Sequence, residues 1–115
     1  MPLFSEYPVA TLQDVVRFET EKTLEQRYDA RSVYDIFTKS ASRHPDRTAL
    51  TMLMTGADDE MARVVTYKQM LDGVTRAANF FASLGGPGAG VAYILPSLVE
   101  THSTLWGAEA QGYAV

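Results

Sequence analysis

The feature that most constrains this chain is a glycine-rich cluster opening directly into an apolar run. Gly85, Gly86, Pro87, Gly88, Ala89 and Gly90 precede Val91, Ala92, Tyr93, Ile94 and Leu95, and a short apolar run bounded by breakers reads as a buried strand. Pro96 stops it. Ser97, Leu98, Val99 and Glu100 then spell a capping box, in which the Ser hydroxyl and the Glu carboxylate satisfy amides that a helix start leaves unpaired. Gly112 ends that helix, and Tyr113, Ala114 and Val115 turn apolar again as the start of a second strand. Strand, helix and strand in that order make a parallel unit with a right-handed crossover. The second strand opens at Tyr113 and the sequence stops two residues later, so the chain is expected to be part of a larger protein.

The elements upstream fit one domain, or a piece of one, in 115 residues. Residues 1–10 carry two prolines and no period, and read as an arm or linker. Thr11 to Asp14 offers a cap for a helix whose narrow apolar stripe is Leu12, Val15 and Val16. Residues 19–31 alternate acidic and basic side chains, the mark of a solvated face or connector. Ser32 caps a stronger helix with Asp35, and Val33, Ile36, Phe37 and Ala41 fall at helical spacing until His44-Pro45 ends it. Residues 48–54 and 63–66 read as two strands of an antiparallel hairpin around the acidic turn 56–60. Thr66 and Gln69 cap the longest helix, in which Tyr67, Met70, Leu71, Val74, Ala77, Ala78 and Phe81 hold the 3.6-residue period. That face is expected on the sheet containing residues 91–95. The fold class is therefore α/β: a β-hairpin plus helix followed by a parallel β-α-β unit, after an N-terminal extension and charged helix over residues 1–31.

Composition excludes several functions. Hydrophobic residues make up 46% and charged residues 21%, which favours folding over disorder. Net charge is −4, and the ten basic residues are dispersed rather than gathered into a stripe, so no nucleic acid is expected as partner. The absence of cysteine removes disulfide and thiolate chemistry, and with no export signal in residues 1–10 it fits a cytoplasmic location. Residues 77–99 carry no charge and are long enough to span a bilayer, but four glycines and Pro87 interrupt them, so no transmembrane segment is expected.

The residues that could carry chemistry each have a structural reading. Phosphate loops run from strand into helix, so that helix amides face the anion; the cluster at 85–90 runs from helix into strand with no Lys after it, and reads as a loop. Ser97 sits at the carboxyl end of a presumed parallel strand, where open α/β sheets bind ligands, yet capping accounts for it. His102 falls at the edge of an apolar helix face, and His44 at a helix end where it suits the terminal carbonyls. Asp58, Asp59 and Glu60 are adjacent acids without the spaced oxygens that calcium requires. No catalytic, cofactor-binding or metal-ligating residue is assigned.

Taken together, the motifs resemble the N-terminal part of the adenylate-forming superfamily, most closely the AMP-forming acyl-CoA synthetases. Ser32 to Phe37, followed by His44-Pro45-Asp46-Arg47-Thr48-Ala49-Leu50, is similar to the family's opening helix and its Pro-Asp-x-x-Ala-Leu strand entry. Val65 to Met70 resembles the first core motif, usually Leu-Thr-Tyr-x-Glu-Leu, with Gln69 for Glu and Met70 for Leu. Residues 91–96, Glu100, Trp106-Gly107-Ala108 and Gly112 to Val115 resemble the strand, helix and second core motif. The resemblance covers residues 32–115, the N-terminal portion of an AMP-binding domain, and implies a partial acyl-CoA synthetase-like N-terminal subdomain. It implies an acid-thiol ligase in which ATP, Mg and coenzyme A convert a carboxylate such as a fatty acid to an acyl-adenylate and then an acyl-CoA. The phosphate loop, the ribose-holding segment and the catalytic Lys lie downstream in the family, so this chain is expected to be scaffold, inactive alone. Its expected partners are the rest of the parent chain and further copies of itself. The alternative is a complete small α/β binding or interaction module without catalysis.

Overall fold

A computed structural model describes residues 9–115; eight of the ten residues read above as an arm lie outside them. The described residues divide into two compact units, one ending at residue 30 and the other spanning residues 31–115.

In the first unit, α1 (Leu12–Glu21) starts where the sequence places it. Thr11 accepts from the Asp14 amide while the Asp14 carboxylate accepts from the Thr11 amide, a complete capping box. The Leu12, Val15 and Val16 stripe stays exposed. A second box, Thr23 with Gln26, opens the short α2 (Leu24–Arg27). The Arg27 guanidinium stacks 3.7 Å from the centre of the Phe18 ring and donates to the Phe18 carbonyl.

The second unit is mixed α/β. It comprises α3 (Val33–Arg43), β1 (Thr48–Met52), β2 (Arg63–Thr66), α4 (Tyr67–Leu84) and α5 (Val99–Ala110). Ser32 caps α3 through the Asp35 amide. The face that α3 buries is the expected one in part: Phe37 and Ala41 turn inward as the spacing places them, joined by Tyr34, whereas Val33 and Ile36 are exposed. The Tyr34 hydroxyl, hydrogen-bonded at 2.8 Å to Thr75 of α4, and the Phe37 ring, 5.9 Å from Trp106, set that rotation.

β1 and β2 pair antiparallel, with a bulge between Thr48 and Leu50. β1 ends at Met52 rather than Met54, because Glu60 captures the next amides. Its carboxylate accepts from the backbone of Met54, Thr55 and Gly56 and from the Thr55 hydroxyl. These four donors hold the Glu60 carboxyl down at about 2, the Thr55 hydroxyl foremost. Thr66 and Gln69 form the expected box at the head of α4, and two more α4 amides, of Tyr67 and Lys68, donate to the carbonyls of Arg47 and Pro45.

Two apolar clusters follow along α4. Met70 and Val74 join Val65 and Val99, bordered by Tyr34, Phe37, Leu50 and Trp106. Phe81 joins Ala108 and Tyr113, bordered by Ala89 and Val91. α4 therefore packs on the hairpin and on α5, and of residues 91–95 only Val91 borders its core. The run expected as a buried strand is not one: residues 91–96 are irregular, Ile94 is fully exposed, and the parallel pairing shrinks to a single bridge, Gly90 to Ala114. Strand geometry needs a neighbour along its length, and residues 113–115 offer one only to residues 89–91. Gly112 does end α5 as expected. Its φ of 76° is the left-handed conformation that glycine adopts freely, and the amides of Gly112 and Tyr113 return to Glu109 and Ala108 in a Schellman close. Among the described residues no helix is long and apolar enough to cross a membrane.

Candidate functional site

The second unit holds an open cleft of about 440 Å³ between β2, α4 and α5. Spacing builds its walls. Gln69, Gly73 and Arg76 share one face of α4, as Glu100, Ser103 and Thr104 share one of α5, with Arg63 and Val65 contributed by β2. Gly73 sets the depth, since a Cβ there would stand 2.7 Å from the Ser103 hydroxyl. At the rim Arg63 donates to Glu100 across 3.0 Å, with both side chains exposed. The backbone amide of Glu100 and then Arg63 hold its carboxyl below the ordinary carboxylate value. Thr104 donates to the Glu100 carbonyl at 2.8 Å.

This arrangement offers two guanidinium groups and hydroxyls against one carboxylate. It presents hydrogen-bond donors to a polar group, while no histidine lines it to raise a nucleophile's reactivity. Sequence reasoning missed the cleft. Its one signal was Gly73, an isolated glycine inside a strong helical pattern, which marks close packing.

The structure scatters the residues that the sequence singled out. Ser97 is exposed and caps nothing: α5 begins at Val99, one residue later than expected, with Leu98 at the cap position. The Thr101 hydroxyl accepts from the Leu98 amide at 3.3 Å and donates to the Pro96 carbonyl. Glu100, expected to face the Ser97 backbone, turns to Arg63 instead. His44 is the exposed C-cap residue of α3, and His102 is half-buried on α5. Asp58 and Asp59 are exposed, and Glu60 serves the loop backbone. Among the described residues no His, Cys, Asp and Glu side chains group to hold a metal.

Part of the glycine cluster is closed to a nucleotide phosphate. The amides of Gly88, Ala89 and Val91 donate to the carbonyls of Gly112, Gly86 and Ala114, which leaves them nothing for an anion.

Over 103 residues the chain is 29% identical to the marinolic acid–CoA ligase of Pseudoalteromonas sp. (strain SANK 73390). That alignment covers 89% of this chain and 16% of the ligase, so the chain spans less than a fifth of that relative's length. No protein-family profile and no solved structure matches the chain. The identity supports a distant relationship to an acyl-CoA ligase.

Proposed function

We propose that residues 32–115 form the N-terminal portion of the AMP-binding domain of a cytoplasmic AMP-forming acyl-CoA synthetase, supplying scaffold to an enzyme that makes acyl-adenylate and then acyl-CoA. The observation that carries this reading is the 103-residue similarity to an acyl-CoA ligase. The geometry adds support, because the residues of the resemblance meet one another. The Arg47 carbonyl, in the first segment, accepts from Tyr67 of the second at 3.0 Å. Phe37 of the opening helix packs 5.9 Å from Trp106 of the last motif.

ATP, Mg and coenzyme A then act on residues outside this sequence, and no step is assigned to the residues within it. The purified chain, given ATP, Mg and carboxylates of graded length, is expected to show no carboxylate-dependent pyrophosphate exchange. Exchange by the chain alone would overturn the scaffold assignment.

A further inference from the structure

The second apolar cluster joins two segments that are remote in sequence. The Tyr113 hydroxyl, buried, donates to the Phe81 carbonyl at 2.9 Å, while its ring lies 5.5 Å from that of Phe81. Phe81 is in the last turn of α4, where carbonyls lack partners within the helix. Gly85 is the C-cap of that helix, and a Cβ there would stand 2.8 Å from the Tyr113 oxygen. Beyond it three backbone hydrogen bonds stitch the two segments, Gly88 to Gly112 at 2.9 Å, Val91 to Ala114 at 2.8 Å and Ala114 to Ala89 at 3.0 Å, while Ala89 and Val91 pack against the same cluster. Residues 92–95 add no backbone bond to any described residue.

We infer that residues 85–91 and 112–115 form one strap that opens and closes as a unit, with the Tyr113 hydroxyl on the Phe81 carbonyl as its latch. The cluster beneath the strap is separate from the one beneath the hairpin, so the strap opens without unfolding the Met70 and Val74 turns of α4. Closing the latch sets the register of the parallel pair, because Tyr113 is the residue immediately before Ala114. Opening releases the backbone of both segments for pairing with another strand. The inference concerns this chain's own mechanics and is independent of the ligase reading.

Amide hydrogen exchange, read residue by residue by NMR on the full chain, tests it. Tyr113→Phe removes the hydroxyl and keeps the ring, and is expected to speed exchange at Gly88, Val91 and Ala114 together by roughly two- to tenfold, the worth of one hydrogen bond. Gly85→Ala is expected to do the same by displacing the hydroxyl, whereas Gly86→Ala, where a Cβ meets nothing within 4 Å, leaves exchange unchanged. Met70 and Val74 keep their protection in all three variants. Unchanged exchange in Tyr113→Phe, acceleration at only one of the three amides, or equal acceleration at Val74 overturns the inference.

Discussion

Gly107 of α5 lies directly against Ala78 of α4, so close that a Cβ on Gly107 would stand 2.8 Å from the Ala78 amide nitrogen and closer still to the Ala77 methyl. α4 and α5 meet there backbone to backbone. Gly107→Ala would gain helix propensity of about 1 kcal/mol, but the clash is with backbone that has nowhere to move. We expect a net loss on the order of 1–3 kcal/mol, the usual cost of overpacking. Urea denaturation measures it, and a midpoint equal to the parent's would show that the helices part freely.

Val74 is 0% exposed and sits between the hairpin and α5. Val74→Asp places an unpaired charge at that point, at a cost of several kcal/mol, comparable with the whole stability of a small domain. Circular dichroism should show the helical signal lost at ambient temperature. A variant as helical and heat-resistant as the parent would contradict the burial.

The Tyr34 hydroxyl, bonded at 2.8 Å to Thr75, is what turns α3 away from its Val33 and Ile36 face. Tyr34→Phe should cost about 1 kcal/mol, the net worth of one such bond. Thr75→Val in the same background should then add little, since the pair is already broken. Full additivity of the two losses would show that the groups do not interact.

Glu60 gives a pH signature. Its folded value, about 2, lies below its ordinary value of 4.5. The carboxylate's contribution to the loop is therefore fully present above pH 4.5 and is lost as pH falls through the window from 4.5 towards 2. NMR should show the amide signals of Thr55 and Gly56 shifting with an acid titration near the bottom of that window. Glu60→Gln should abolish the titration, and a midpoint at 4.5 would mean that the carboxylate does not hold these amides.

Association of the 115-residue chain is expected through the segment that lacks backbone partners among the described residues. Ile94 is fully exposed, Leu95 and Val115 are about half exposed, and residues 92–95 make no backbone bond to described residues. Open backbone beside apolar side chains invites strand pairing between copies. Light scattering at micromolar concentration should report a dimer or larger species, and a clean monomer across that range would contradict it.

What the sequence made legible was mostly local. The caps at Thr11, Ser32 and Thr66 and the stop at Gly112 are each written within four or five residues, and the hairpin in two short apolar runs around a turn. What depends on distant partners was not legible. Residues 91–95 have the composition of a strand, but composition cannot say that a neighbour reaches only as far as residue 91. At the head of α5 the Thr101 hydroxyl takes the Leu98 amide, and Arg63, thirty-seven positions from Glu100, holds Glu100 away from the Ser97 box. The α3 face followed from Tyr34 meeting Thr75, a contact that helical spacing within α3 does not contain. The cleft depends on Gly73, which faces Ser103, and the approach of α4 to α5 on Gly107, which faces Ala77 and Ala78; a glycine's place in the pattern was visible, but not what it faces.

We propose that this chain is scaffold for a ligase whose chemistry lies further along the same polypeptide. Sequencing the transcript through and beyond the codon for Val115 tests it most directly. An open reading frame continuing into a Thr/Ser/Gly-rich phosphate loop that ends in Pro-Lys-Gly is expected. A stop codon directly after Val115 would contradict it and leave a free-standing α/β module.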